Sequence, residues 1–227
     1  VEGDAHFENR EYALAGNKIE HNGKENMTVL PGNYTITYLK DGSVFKGTDA
    51  RYNDTTAEFT STGPVTGEGK NYIAYGKNIE YNTKTGFGKF NSNIVIENPK
   101  DNIRITGDNF TFQNEEYMEI SGNLKIETEK FVATSESGKY VFNDKKIYIP
   151  EKIDFKSYDG KTDGTVTSGV YSTVKNSFYG KNFNGKSEDS KIRSNSIEYF
   201  TKEDKVLFIG NVVMENPESV IRDEKVE

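Results

Sequence analysis

The chain has 227 residues, a formal net charge of −7 and a sequence pI of about 5.1. This acidic balance argues against nucleic acid as a partner, because no basic stripe is available to neutralise phosphates. The sequence contains no cysteine, which excludes disulfides, thiol nucleophiles and a lipidated cysteine anchor within these residues. A hydrophobic content of 33% and a mean hydropathy of −0.78 suit a stack with one apolar face better than a compact globule, while 14 tyrosines and 14 phenylalanines argue against disorder.

The first elements of the chain are ambiguous. Phe7, followed by Gly16-Asn17, resembles the start of a repeat, and His21, followed by Gly32-Asn33, competes with it. The repeat becomes regular after this point. From there an aromatic residue, called the anchor below, recurs at spacings of 29, 31, 30, 29 and 28 residues: Tyr52, Tyr81, Phe112, Phe142, Tyr171 and Tyr199.

Two segments repeat each other most clearly. Residues 79–104 and 197–222 align at a constant offset of 118 without a gap and share 13 of 26 residues. Both contain the same turn, Glu97-Asn98-Pro99 in the first and Glu215-Asn216-Pro217 in the second. A fixed period of this length indicates a repeat architecture in which each unit buries its apolar face by stacking on its neighbours. We therefore expect about seven repeats of ~30 residues in one continuous domain over residues 1–227.

Each repeat has the pattern of β-strands. Around the anchor, apolar and polar residues alternate, as in Ile79-Glu80-Tyr81, and a polar turn such as Asn82-Thr83-Lys84-Thr85-Gly86 follows. The next strand keeps one inward parity through a small residue midway, as in Ile120, Gly122 and Leu124, which predicts a sharp bend or a close approach of the backbone there. The parity of the return strand slips across Gly107-Asp108, which predicts a bulge or corner. No stretch has helical periodicity, so the sequence predicts an elongated all-β protein, about 70 Å long for 14 or 15 strands spaced ~4.8 Å apart.

No catalytic motif stands out. His6 and His21 lie in no ligand constellation, and we expect both to be ordinary strand residues. The segment from Asp159 to Gly164 lacks the middle acidic ligand and the final glutamate of a calcium loop, so a plain turn is favoured. Carboxylates such as Glu80 and Glu198 fall on the outward parity and are expected to be solvated. We therefore predict no enzyme, no cofactor and no metal site.

The repeat resembles a known pattern. The segments Gly3-Asp4-Ala5-His6-Phe7-Glu8-Asn9 leading to Gly16-Asn17, Asp49-Ala50-Arg51-Tyr52-Asn53 leading to Gly63-Pro64-Val65, and Ser196-Ile197-Glu198-Tyr199 leading to Gly210-Asn211-Val212-Val213 are similar to the OstA-type repeat. That repeat belongs to the periplasmic lipopolysaccharide-transport proteins LptA and LptC and the periplasmic part of LptD. The resemblance covers nearly the whole chain. The sequence departs from it at Pro150-Glu151, at the extra Lys181 and at Pro64.

The resemblance implies a V-shaped β-jellyroll, open along one side, whose apolar trough holds the acyl chains of lipid A. It also implies a periplasmic protein that joins other OstA-like proteins end to end, or copies of itself, to bridge the inner and outer membranes. The free strand edges for this joining are predicted near Ala5 to Asn9 and Val212 to Met214, with the acidic residues Asp223 to Glu227 after Pro217 as a tail. Whether the chain is the bridge or an inner-membrane-anchored component, with an anchor before Val1, stays open. The side chains expected to contact lipid are the inward apolar ones: Tyr52, Ile79, Tyr81, Ile94, Ile96, Phe110, Phe112, Leu124, Ile126, Phe142, Ile153, Phe155, Tyr171, Tyr199, Val212 and Met214.

Two other interpretations stay open at this point. The same inward residues would equally form a dry core, because a core and a lipid trough use the same side chains. In that case the protein would be a structural or surface-exposed β-solenoid without lipid cargo. An enzyme on a β-helical stack is the remaining alternative, but no segment supplies the clustered titratable groups that it needs.

Overall fold

A computed structural model of the chain describes residues 2–8, 12–39, 42–70, 72–100, 102–114, 116–200, 202–203 and 205–226. These residues form β-strands and turns and no helix, which confirms the predicted all-β class. The contacts between Cα atoms divide the chain into two compact units, residues 1–114 and residues 115–227. Whether the two units make one continuous domain stays a prediction.

The first unit is an antiparallel ladder in which each strand pairs with strands close to it in the sequence. Its strands are β1 (Glu2–Glu8), β2 (Tyr12–Lys18), β3 (Glu20–Asn22), β4 (Met27–Tyr38), β5 (Val44–Asn53), β6 (Glu58–Glu68), β7 (Ile73–Asn82), β8 (Phe87–Phe90), β9 (Ile94–Asn98), β10 (Ile103–Gly107) and β11 (Asn109–Gln113). The pairing begins with β1 and β2 and continues to β7, which pairs with both β8 and β9. Beyond these, β8 pairs with β11, and β9 pairs with β10.

The second unit repeats this arrangement. Its long strands pair antiparallel in sequence order, and two of them are broken into halves that pair separately. The strands are β12 (Tyr117–Glu127), β13 (Phe131–Val141), β14 (Lys146–Ile149), β15 (Ile153–Ser157), β16 (Thr162–Val166), β17 (Ser168–Ser172), β18 (Ser177–Ser187), β19 (Ser190–Phe200), β20 (Lys205–Glu215) and β21 (Val220–Val226).

The long strands bend at their middles through left-handed residues. In β20, Gly210 and Asn211 have φ angles of 75° and 50°, and the pairing with β21 shifts register there. Gly122 and Asn123 in β12 repeat this geometry, with φ angles of 73° and 54°. Glycine and asparagine are the residues that enter the left-handed region most easily. The bend predicted at the small midway residue is therefore confirmed, and it takes the form of a β-bulge.

The returning strands bend differently. A single left-handed residue serves there, Asp49 in β5 with a φ of 56° and Asn78 in β7 with a φ of 54°. Asp108 separates β10 from β11 at the corresponding place. Successive inward residues lie three positions apart across this bend, as from Gly107 to Phe110, but four positions apart across the Gly-Asn bend, as from Ile120 to Leu124. An odd step changes the parity of the inward residues, which confirms the parity slip predicted across Gly107-Asp108.

Backbone hydrogen bonds connect each hairpin turn to the turn of the following repeat. In the first unit the amide of Thr83 donates to the Ala57 carbonyl at 2.9 Å, and the amide of Asn114 donates to the Gly86 carbonyl at 3.0 Å. In the second unit Thr173 donates to Lys145 at 3.0 Å. Partners 26 to 28 residues apart match the sequence period, so the repeat is visible in the backbone itself.

The C-terminal segment differs from the sequence prediction. Val212 to Met214 was expected to lie in the last strand, with the acidic residues after Pro217 as a tail. Instead, residues Val220–Val226 form β21, which covers β20. Asn216 closes the intervening turn by accepting hydrogen bonds from the amides of Glu218 and Ser219 at 3.0 and 2.7 Å. Asn9, the last residue of the first predicted edge, and Glu227, the last residue of the predicted tail, lie outside the described residues.

Candidate functional site

Each unit has one apolar face on which inward side chains form four rows across the strands. One inner row lies on each side of the bend in the strands, next to the bend. An outer row on the side of the hairpin turns contains the anchors and is called the anchor row. The outer row at the other end of the strands is called the far row. Cross-strand pairs define the rows, for example Tyr171 opposite Phe178 in the anchor row and Phe155 opposite Gly164 in the far row.

The inner rows are a dry core. Ile94 and Val166 are completely buried, and Val212 is 1% exposed. Side chains from the two sides of the bend contact each other, since the ring of Phe183 lies 5.2 Å from that of Phe208. The main cluster of the second unit is Ile149, Ile153, Val166, Phe183, Ile192 and Ile197. The inner rows are therefore filled by protein.

Glycines make room for these large side chains. At Gly169, an added Cβ would lie 2.5 Å from the Phe178 ring and 2.7 Å from the Ile153 Cδ1 atom. At Gly76, it would lie 2.6 Å from Phe90 and 2.9 Å from Ile94. Because real Cβ atoms do not approach this closely, the packing across the bend depends on glycine at these positions.

The anchor row is half-buried. The rings of Tyr81 and Phe112 stack with centroids 5.7 Å apart. Tyrosine hydroxyls in this row reach the next hairpin turn: that of Tyr81 accepts a 2.7 Å hydrogen bond from the Asn114 side chain, and that of Tyr52 lies 3.2 Å from the Thr83 hydroxyl. These tyrosines therefore join successive repeats while part of each ring stays accessible.

The far row is half-buried along most of its length and is mainly aliphatic. Ile96 lies opposite Ile105 in the first unit, and Ile192 lies opposite Met214 in the second. Ile192 is 2% exposed, but most of its neighbours in the row keep part of their apolar surface in solvent. The far row consists of Leu14, Ile36, Phe45, Ala74, Ile96 and Ile105 in the first unit and Ile126, Ala133, Phe155, Ile192, Met214 and Ile221 in the second.

The sixteen side chains predicted to contact lipid fall into four groups. Buried in the inner rows are Ile79, Ile94, Phe110, Leu124, Ile153 and Val212. Half-buried in the anchor row are Tyr52, Tyr81, Phe112, Tyr171 and Tyr199. Half-buried in the far row are Ile96, Ile126, Phe155 and Met214. Phe142 belongs to none of the rows. Tyr52, Tyr81 and Phe112 lie on the apolar face of the first unit and Tyr171 and Tyr199 on that of the second, as predicted for these five anchors. A face common to the anchors of both units, and contact with lipid for all sixteen side chains, stay predictions.

Phe142 lies just beyond the end of β13 and is 37% exposed. Tyr140 occupies the anchor position instead, opposite Met118 and Ile147, and its ring packs edge-on against Phe142 at 5.0 Å. The sequence pattern Tyr-Val-Phe offers two aromatic residues of equal parity, and spacing alone selected the wrong one. Half-buried row members that sequence reasoning also missed are Phe59, Ile147, Phe178, Ile36, Phe45 and Ile105.

The opposite face of each unit is charged. Glu80 lies 3.0 Å from Lys89 on the neighbouring strand, and Glu97 lies 3.4 Å from Arg104. These exposed pairs contribute little to stability, about 0–1 kcal/mol each. They confirm the outward position of Glu80 and Glu97, while Glu198, which was expected to be solvated, is half-buried opposite Tyr179 and Leu207.

Titratable groups form no catalytic arrangement in the described part of the chain. The side chain of His6 is 57% exposed and lies 3.5 Å from Glu8, while His21 lies 3.1 Å from the Thr28 hydroxyl. Asp159 closes its own turn: hydrogen bonds from the Ser157 hydroxyl and the Lys161 amide hold the pKa of its carboxyl below the ordinary value. Among the described residues no three side chains of the metal-ligating types cluster together. These residues also contain no helix long and apolar enough to cross a membrane.

By sequence, the chain matches no protein-family profile and no curated protein. Among solved structures, it is similar to LptH, the LptA-homologous periplasmic component of the lipopolysaccharide transport device of Pseudomonas aeruginosa. The two share 11% sequence identity over 63% of this chain and 93% of LptH, with a TM-score of 0.36. A likeness of that strength decides neither fold nor function by itself.

Proposed function

We propose that this protein is a periplasmic carrier of lipopolysaccharide that holds the acyl chains of lipid A against the far row and the accessible ring surfaces of the anchor row. The observation that carries the proposal is the far row. Large aliphatic side chains such as Ile96, Ile126 and Met214 lie on the apolar face of the sheet, yet each keeps part of its surface in solvent. The OstA-type repeat in the sequence supports the same conclusion.

The buried inner rows narrow the proposed contact surface. Ile94, Leu124 and Val212 are 0%, 4% and 1% exposed, so an acyl chain would meet them only if the strands separated. The half-buried outer rows need no such opening. Acyl chains would therefore lie along the outer rows, on top of a core that is already packed.

The energetics favour several acyl chains over one. Each buried methylene contributes about 0.8 kcal/mol. Ten methylenes would thus contribute about 8 kcal/mol, which corresponds to a dissociation constant near 1 μM before the costs of association are subtracted. A lipid with several chains, such as lipid A, would offset those costs better than a single fatty acid.

The experiment is site-specific photo-crosslinking with purified lipopolysaccharide. A benzoylphenylalanine probe replaces Ile96, Ile126 or Met214 on the far row. Matched probes replace Glu80 and Glu198 on the charged face. We expect capture of lipopolysaccharide from the far row and none from the charged face. Equal capture from both sets, or none from either, would reject the lipid-carrier proposal.

A structural β-solenoid without lipid cargo is the second candidate. The filled inner rows and the tyrosine hydroxyls bound to neighbouring turns favour it, because both are what a purely structural stack needs. The same crosslinking experiment separates the two candidates. A folded protein with an accessible far row that captures no lipopolysaccharide or lipid A would be assigned to the structural alternative.

The two end strands support association with other OstA-like proteins or with copies of the same chain. Within its own unit β1 pairs with β2, and β21 pairs with β20, so each has one edge without a described partner in that unit. Unpaired strand edges are templates for another strand. Joining one such edge to the other does not close on itself and would produce end-to-end rods.

A further inference from the structure

The charged face of the second unit carries a depression of about 580 Å³ across β15, β16, β18 and β19. Four cations line it, on three of the four strands: Lys156, Lys186, Lys191 and Arg193. Two carboxylates, Asp154 and Asp163, also line it, so the depression has a local charge of +2 in a chain whose net charge is −7. Its charged side chains lie at strand positions that alternate with the far row, while Phe155, Gly164 and Gly185, at far-row positions, also line it.

Cross-strand register places these cations close together. Lys186 lies directly opposite Lys191. Arg193 is two residues beyond Lys191 on the same face of β19. Like charges directly opposite each other on one face of a sheet are destabilising. A bound anion would remove this repulsion.

Only some of the positive charge is neutralised by the protein. Lys186 pairs with Asp163 at 3.2 Å, and Asp154 pairs with Lys152 at 2.7 Å. Lys191 lies opposite Glu215 in the register, but the two do not come within ion-pair distance. Within the described residues no ion pair is formed by Lys156, Lys191 or Arg193.

We propose that this depression binds a phosphate group. Arg193 offers a planar set of donors that matches phosphate oxygens, and Lys191 and Lys156 add point charges from neighbouring strands. Asn184, which lies opposite Arg193 and lines the depression, adds a neutral amide donor. The phosphate would be that of a phosphorylated sugar headgroup or the free inorganic ion, which share this chemistry. The charged groups of this site are not those proposed to contact lipid, so phosphate binding can be tested independently of lipid transport.

The test is a titration of ¹⁵N-labelled full-length protein followed by NMR at low ionic strength. The probes are inorganic phosphate, glucose 1-phosphate and, as the uncharged control, glucose. We expect saturable shifts confined to the amides of β15, β16, β18 and β19 with both phosphates, at millimolar affinity, and none with glucose. Tighter binding of glucose 1-phosphate would identify a headgroup site, and equal binding a site for the free ion.

The variants separate a built site from general charge attraction. The double variant Lys191→Gln/Arg193→Gln should weaken phosphate binding at least about fivefold. The control Lys175→Gln/Lys202→Gln removes the same charge from two hairpin turns of the same unit and should leave binding unchanged. Lys156→Gln removes one positive charge from a different strand of the same site, and it should weaken phosphate binding about twofold. No saturable shift in the wild type, or equal losses in the test and control variants, would overturn the proposal.

Discussion

The hydroxyl of Tyr81 accepts a 2.7 Å hydrogen bond from the side-chain amide of Asn114, 33 residues later in the chain. Asn114 also donates its backbone amide to Gly86, in the turn that follows Tyr81. One residue of the later turn is thus bound twice to the earlier repeat. The anchor tyrosine therefore serves the stacking of repeats, whatever else its ring contacts.

Replacing Tyr81 by phenylalanine tests this role. The ring and its stacking on Phe112 are kept, while the hydrogen bond to Asn114 is lost. We expect a loss of about 0.5–1.5 kcal/mol in the free energy of unfolding, measured with urea. The control is Tyr75→Phe, since Tyr75 points to the opposite face, is 40% exposed and has no described hydrogen bond. Equal effects of the two changes would contradict a structural role for the Tyr81 hydroxyl.

The second testable feature is the need for glycine at position 169, where large side chains pack against the backbone. Gly169→Ala places a methyl group against Phe178 of the anchor row and Ile153 of the inner rows of the second unit. We expect this overpacking to lower the free energy of unfolding by about 1–3 kcal/mol. Gly23→Ala is the matched control, because its Cβ would meet only the His21 ring at 3.8 Å, and it should change stability by less than about 0.5 kcal/mol. Similar stabilities for the two variants would mean that the inner rows relax around the added methyl group.

The repeat, the strands and the bends could be predicted from the sequence because each depends on local chemistry. Alternation around Ile79 and Tyr81 specifies a strand face, and Gly210-Asn211 specifies left-handed backbone. The choice between Tyr140 and Phe142 could not be made this way, because both have the same parity and only the pairing with β14 separates them. The same is true of β21, whose mixed charged sequence gives no clear strand signal.

The division of the apolar face into buried and half-buried rows was also beyond the sequence. Ile94 and Ile96 are the same residue type, two positions apart on one face of β9, and the pattern treats them alike. Ile94 is fully buried because its side chain is next to the bend, where the two halves of the sheet pack together. Ile96 is farther from the bend and stays half-buried. This distance from the bend depends on the tertiary fold.

Tyr34 gives a prediction at alkaline pH. It is 3% exposed in an inner row, and burial raises the pKa of its hydroxyl above the ordinary value of 10.0. The nearby Ser61 hydroxyl offsets part of this shift, but Ser61 donates its proton to the Thr48 carbonyl at 2.9 Å, and the Tyr34 hydroxyl has no hydrogen bond of good geometry within the described residues.

Two consequences follow for Tyr34→Phe. At neutral pH no hydrogen bond is lost and a buried hydroxyl without a described partner is removed, so the free energy of unfolding should not fall and should rise by up to about 1–3 kcal/mol, in contrast to Tyr81→Phe. At high pH the unfolded chain releases the Tyr34 proton before the folded protein does. The wild type should therefore lose stability, relative to the variant, as the pH rises above 10.0 towards the folded-state pKa. Urea unfolding between neutral pH and pH ~11 measures the difference, and parallel curves for the two proteins would disprove it.

Self-association through β21 is the last prediction. This strand has exposed side chains at Val220 and Ile221, which are 49% and 46% exposed, and one edge without a described partner in its unit. Because backbone amides along a strand point alternately to its two sides, one of Ile221 and Arg222 donates outward and the other donates towards β20. Proline at the outward position would remove a donor from the free edge and weaken end-to-end pairing, while proline at the inward position would chiefly lower stability.

Sedimentation velocity over a wide concentration range should show larger species at high concentration for the wild type and for Arg222→Gln, which keeps the backbone donor. Of the two proline variants, Ile221→Pro and Arg222→Pro, only the one whose amide points outward should abolish those larger species without changing the unfolding midpoint. A wild type that sediments as a monomer at every concentration would reject self-association, and pairing with another OstA-like protein would then be measured by mixing the two.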